Sequence, residues 1–242
     1  VGTADVLVGG FDFGSCADFV LSGTGKITLS RTDAAPEISV ATSGIVTFKG
    51  KMYGTGDLVK KGAGTFGAYY QAFLYNGRTV VEEGVLQAFT DGTAGSYSLG
   101  GDIANGLLVK AGGTFRLAAD DRLSSDMPIV LDGGILDLNA KQQYIGMITL
   151  KNGAHVIRGT GRVLSYDAVI GHLCAEGGGF AGRIEANWAV ANQWGKCAGI
   201  YSRTQEVYVA ENTTLEMKIN LAEDNAFADY RGTLNKTGLG DL

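Results

Sequence analysis

The chain has 242 residues, 45% of them hydrophobic, with 38 glycines but only 2 prolines, which excludes a disordered low-complexity segment and suits many tight corners between hydrogen-bonded strands. Its formal net charge is −5, from 20 basic and 25 acidic residues, and no Lys/Arg cluster gives the electrostatic footprint of a nucleic-acid binder. No apolar run approaches the ~18 residues of a membrane-spanning helix.

Segment 1–22 carries little regular alternation and reads as an N-terminal cap or an atypical coil, with Val6 and Val8 at an assembly end. Period-2 alternation and β-branched residues then predict strands at 26–30, 44–48, 57–60, 79–82 and 85–88. They continue at 107–110, 114–117, 129–131, 135–138, 148–150, 155–158 and 162–165. Nearly every gap holds Gly, Asn or Asp, which tolerate left-handed backbone at corners, and no stretch carries a helical period. The rhythm breaks over 168–201, read as an irregular insertion, and resumes at 206–210 and 214–219.

That insertion holds Gly177-Gly178-Gly179, His172, both tryptophans (Trp188, Trp194) and two of the 3 cysteines. It reads as a protrusion over the solenoid face, or as a wider coil filled by aromatics. A disulfide between Cys174 and Cys197 would close it in an oxidising compartment; otherwise the cysteines are small buried hydrophobes.

One phrase recurs. Leu58-Val59-Lys60-Lys61-Gly62-Ala63-Gly64-Thr65-Phe66 returns as Leu234-Asn235-Lys236-Thr237-Gly238-Leu239-Gly240-Asp241-Leu242, and a shortened copy runs Leu108-Val109-Lys110-Ala111-Gly112-Gly113-Thr114-Phe115. Gly62 and Gly112 are 50 residues apart, as are Gly84-Val85-Leu86 and Gly134-Ile135-Leu136. A β-sandwich gives no reason for such a spacing, whereas in a solenoid like positions stack, so that two coils of roughly 20–25 residues make one unit. The expected fold is an all-β parallel β-helix, one domain over 1–242, with about ten coils in a rod near 50 Å long at ~4.8 Å per coil.

The string from Gly54 to Phe66, followed by Thr79-Val80-Val81-Glu82-Glu83-Gly84-Val85-Leu86-Gln87, resembles the passenger-associated transport repeat of bacterial autotransporters. Gly100 to Gly161, with Asp121-Arg122-Leu123 and Leu131-Asp132-Gly133-Gly134-Ile135-Leu136-Asp137-Leu138, resembles the related autotransporter-associated β-strand repeat, and 204–242 matches once more. The resemblance implies a right-handed parallel β-helix in a protein exported to the surface of a Gram-negative bacterium, in passengers that serve as adhesins, stalks or supports. The chain departs from that pattern at 67–76, where Tyr69, Tyr70, Phe73 and Tyr75 replace a polar linker.

The search for chemistry returns little. Glycoside hydrolysis needs two carboxylates across a sugar, but Glu82 and Glu83 are neighbours on a strand and point to opposite faces. Asp120, Asp121 and Asp126 fall at a polar turn, and His155 and His172 have no partner at a recognisable spacing. The expectation is therefore a non-catalytic structural or adhesive segment with no cofactor and no metal. Its start at Val1 and its end within the last copy of the phrase suit a mature or excised segment. Its partners would be another copy stacked end to end, through Val6, Val8, Leu234 and Leu242, or neighbouring coils of a longer chain, with a glycan or host-surface ligand as a further candidate; nucleic acid and membrane insertion are not expected. The alternative is a carbohydrate-binding or polysaccharide-degrading β-helix whose candidate ligand-binding aromatics are Trp188, Trp194, Tyr69 and Tyr70.

Overall fold

A strand of four or five residues buries only every second side chain, so short alternating strands joined by glycine corners are stable when the chain winds and each coil covers the last. The computed structural model does this. It describes residues 5–14, 18–41, 44–69, 73–89, 106–120, 122–124, 127–141, 143–158, 168–185, 188–189, 204–217, 221–222 and 233–242. Among these there is no helix, and the strands form an 11-stranded and a 12-stranded sheet in which all neighbouring strands are parallel.

The first sheet runs Val6–Val8, Phe19–Leu29, Ile45–Gly54, Thr65–Ala68, Gly84–Ala88, Gly113–Leu117, Ile135–Asp137, Ala154–Ile157, Gly179–Glu185 and Thr213–Met217. Phe73–Tyr75 pairs with the far end of Ile45–Gly54. The second sheet runs Gly10–Phe13, Glu37–Val40, Leu58–Lys61, Thr79–Val81, Leu107–Lys110, Pro128–Asp132, Gln143–Lys151, Ala168–Ala175, Trp188–Ala189 and Leu221–Ala222. Thr204–Val209 pairs with residues 172–175 of the same long strand and carries Thr233–Thr237. Among the described strands the chain alternates between the sheets except from Thr65–Ala68 to Phe73–Tyr75, from Trp188–Ala189 to Thr204–Val209 and from Leu221–Ala222 to Thr233–Thr237, and this winding makes it a parallel β-helix.

Its core is columnar. In the first sheet Val46, Phe66, Leu86, Phe115, Leu136, Val156 and Ile184 stack one on the next, each at most 2% exposed. The second sheet stacks Ile38, Lys60, Val81, Val109, Leu131, Leu150, Ala175 and Val209. A single lysine thus occupies an aliphatic column. At one rim, Gln143 is fully buried and its amide receives from Leu123 N and donates to Leu123 O, both at 3.0 Å, substituting for a backbone rung.

The described predicted strands are all present within a few residues; 162–165 lies outside the described residues. One expectation changes: 168–175, 179–185 and 188–189 continue both sheets, so the described part of the 168–201 segment is coil rather than insertion. Its alternation is masked because inward positions are small (Ala175, Ala181) and its corner is Gly177-Gly178-Gly179, all with positive φ. The segment before residue 22 adds a strand to each sheet, at Val6–Val8 and Gly10–Phe13, as an atypical coil would.

Candidate functional site

Of the carboxylates singled out by type, Glu82 and Glu83 are engaged structurally. Glu82 accepts from Lys110 at 2.7 Å and lies 3.8 Å from Lys61, which also reaches Glu37 at 2.8 Å. The hydrogen bond from Lys110 holds the Glu82 carboxyl below the usual carboxylate range. Glu83 turns to the corner instead, where its carboxylate accepts from Gly62 N at 3.1 Å. Asp120 is exposed, while Asp121 and Asp126 lie outside the described residues. His155 is half-buried in its strand between Ile135 and Arg183, and the side chain of His172 is not described. Among the described residues no three His, Cys, Asp or Glu side chains converge as metal ligands do.

The repeated phrase is a structural corner. Lys60 is 2% exposed, and its ammonium donates to the carbonyls of Lys61 (2.8 Å), Gly62 (2.6 Å) and Glu83 (3.0 Å). Burial pushes this lysine down to about 8, with the Glu83 charge opposing the shift. Lys236 repeats the pattern with the carbonyls of Gly238 (3.0 Å) and Gly240 (2.5 Å). In both corners the last glycine donates to a valine carbonyl of the preceding coil, Gly64 to Val40 and Gly240 to Val209, each at 3.1 Å.

A different arrangement emerges on the outer face of the first sheet. The strand Phe19–Leu29 shifts register against Ile45–Gly54, so that Ser22 pairs with Lys49 and Lys26 with Lys51, and Gly23-Thr24-Gly25 bulges opposite Gly50 alone. The next coil pairs with the same strand at 65–68 and again at 73–75. Beside the bulge lies an open depression of about 750 Å³ lined by Gly23, Thr24, Lys49, Gly50, Lys51, Tyr53 and Tyr69. Gly50 sits at an inward position of this strand, where a Cβ would lie 2.8 Å from the tip of the buried Phe48 ring.

The rim is ordered by aromatic contacts. Lys49 Nζ lies 4.9 Å from the Tyr69 ring centroid, and Tyr69 in turn stacks on Phe89 at 5.0 Å with 7° between planes. Lys26 Nζ lies 4.7 Å from the centroid of Tyr53. Such cation–π contacts hold a flexible ammonium in place without neutralising it. Lys26, Lys49 and Lys51 are exposed and make no ion pair among the described residues.

Of the aromatics expected to bind ligand, Tyr69 lies in this depression, but its ring is engaged by Phe89 and Lys49 and is not an open stacking surface. Tyr70 and Trp194 lie outside the described residues, and Trp188 is described in its backbone alone, paired with Ala168 and Leu221. Cys174 is half-buried on the second sheet, and Cys197 lies outside the described residues. Val6 is 38% and Leu242 50% exposed at opposite ends of the stack, Val8 packs on the core, and Leu234 pairs with Gln205. Sequence reasoning passed over Lys49, Lys51 and Tyr53. Their signal was Lys49-Gly50-Lys51 between two inward residues, Phe48 and Met52, a spacing that puts both lysines on the outer face. No protein-family model, curated protein or solved structure matches the chain.

Proposed function

We propose that this chain is a non-catalytic structural segment of an exported bacterial surface protein, a shaft or filament element of the autotransporter passenger type. One observation carries the reading: both sheets continue from the first described coil to the last, and large apolar side chains lie exposed at the two ends. Leu7 (70%), Val20 (58%) and Phe19 (43%) are exposed at one end, Leu239 (80%) and Leu242 (50%) at the other. Terminal strands of a stack offer backbone to a further coil, whether of the same chain or of another copy. Electron microscopy with intact mass measurement tests this. Rods of about 50 Å that associate end to end are expected, and deletion of 232–242 should abolish the association. Unchanged association after that deletion would sink the self-stacking form of the proposal.

A second reading, carbohydrate binding, has the depression around Lys49, Lys51 and Tyr53 in its favour. Binding of soluble oligosaccharides to the intact chain tests it, and absence of binding to acidic and neutral glycans alike removes it.

A further inference from the structure

We infer that the depression beside the 23–25 bulge binds an acidic oligosaccharide, a chain of pyranose rings bearing carboxylates, with Lys49 and Lys51 as its anion contacts and Lys26 at its margin. The inference rests on the carbohydrate-binding reading above and names the ligand class. Charge comes first. Lys49 and Lys51 leave the same face of one strand two residues apart, which places their Cα atoms about 7 Å apart. Lys26 pairs with Lys51 across the ladder. Two ammonium groups therefore line one depression, with a third beside it over the Tyr53 ring, in a chain whose net charge is −5. The carboxylate seen close by is that of Asp5, which accepts from the backbone N of Lys26 at 2.8 Å.

Order comes second. Tyr69, clamped on Phe89, holds Lys49, and Tyr53 holds Lys26, so two of the three charges stand ready and less freedom is lost on binding. Shape comes third. A volume of about 750 Å³ lies within the roughly 300–1,000 Å³ of small-ligand sites and admits a few sugar rings rather than a duplex. Gly23 lets a broad ring approach the backbone, and the Thr24, Tyr53 and Tyr69 hydroxyls offer the paired donor and acceptor character that sugar hydroxyls require.

The test is calorimetric titration of the intact chain with polygalacturonate oligomers, with the same oligomers methyl-esterified, and with polyphosphate of matched charge. Binding of the free acid is expected, weakened about threefold by Lys51→Gln and about tenfold by Lys49→Gln with Lys51→Gln together. Tyr69→Leu should weaken it about twofold by releasing Lys49. Lys151→Gln, on the other sheet, should change nothing, and thermal unfolding confirms that each variant folds. Equal affinity for the methyl ester leaves carbohydrate binding standing and overturns the acidic class. Failure to bind either form overturns both. Retained affinity in the double lysine variant overturns the site. Equal binding of polyphosphate, untouched by Tyr69→Leu, reduces the interaction to bare attraction of polyanions and overturns the sugar.

Discussion

The corner at Lys60-Lys61-Gly62-Ala63-Gly64 and the corner at Lys110-Ala111-Gly112-Gly113 are spelled almost alike, yet their lysines face opposite ways. Leu58, Thr79 and Leu107 stack in one line, so Val109 takes the place of Lys60 in the inward column, and Lys110 corresponds to Lys61. Lys61 and Lys110 both reach outward to Glu82. The backbone turns left-handed at Gly62 (φ 71) in one corner and at Gly112 (φ 92) in the other. Both then reach a glycine that no other residue replaces without a clash. A Cβ on Gly64 would lie 2.0 Å from Ala41 O, and one on Gly113 would lie 2.4 Å from Val81 O. Both deliver an inward phenylalanine, Phe66 or Phe115. Glycine position therefore reports where a corner turns left-handed, while apolar alternation reports register, and the two slide independently by one residue.

What the corners share is tested by the largest effect. Phe66 is 1% exposed and Phe115 0%, in the same column with Leu86 between them. Phe66→Ala and Phe115→Ala should each lower unfolding free energy by about 3–5 kcal/mol in chemical denaturation. A loss under about 1 kcal/mol at either would mean that the column relaxes around the void and that the two sites are not equivalent.

What they do not share is the buried charge. Lys60 is held near 8 in the folded chain against an ordinary value of 10.5, so between these pH values the unfolded chain carries the extra proton. Stability should therefore rise with pH across that window, by at most about 3 kcal/mol, because the folded lysine sheds the charge that burial penalises. Lys60→Met should flatten the rise, and Lys110→Met should leave it intact. The comparison is best read between pH 8 and 10. Above that range Tyr75, whose buried hydroxyl is pushed up and bonded to Thr79, begins to favour the unfolded chain as it ionises there. An unchanged slope in Lys60→Met would mean that the three carbonyls hold the proton against burial.

The glycines separate the corners next. Gly62 has φ 71, and a Cβ there would lie 2.2 Å from Val40 O, whereas at Gly112, with φ 92, the nearest atom would be Glu82 O at 3.2 Å. Gly62→Ala should destabilise by about 2–3 kcal/mol and Gly112→Ala by about 1, the strain of the backbone alone. Thermal unfolding of the two variants gives the order, and a reversed order would contradict the assigned turn geometry.

The same distinction explains what was legible in the sequence. Alternation placed the strands around Leu86, Phe115 and Leu136 in their observed ladder, because each inward residue there is large and apolar. Aligning the phrase by its glycines misplaced the second-sheet register by one residue, because Gly62 and Gly112 are turn markers. The coil at 168–185 was hidden by its small inward residues. The lysine-lined depression was hidden for a different reason: Thr24, Lys49 and Tyr69 come from three successive coils, and only stacking brings them together. Local pattern carries local geometry, and a site assembled across coils leaves only the weak trace of Lys49-Gly50-Lys51.

The smallest effect bears on the outward lysines. Glu37, Lys61, Glu82 and Lys110 alternate in sign across the second sheet, with side chains 30–45% exposed. Exposed pairs of this kind contribute about 0.2–1 kcal/mol each. Glu82→Gln should therefore destabilise by no more than about 1–2 kcal/mol at low ionic strength, since it touches two lysines. Its contribution is present above the ordinary carboxylate value and lost as pH falls through the lowered folded value, the opposite direction from Lys60. In 1 M salt, where screening acts within about 3 Å, the difference between wild type and Glu82→Gln should shrink towards zero, while the Lys60 slope persists because solvent ions do not reach that corner. If the Glu82 effect survives high salt undiminished, the ladder acts through packing of its aliphatic stems, and the outward lysines of the two corners would then differ from the inward one in burial and not in mechanism.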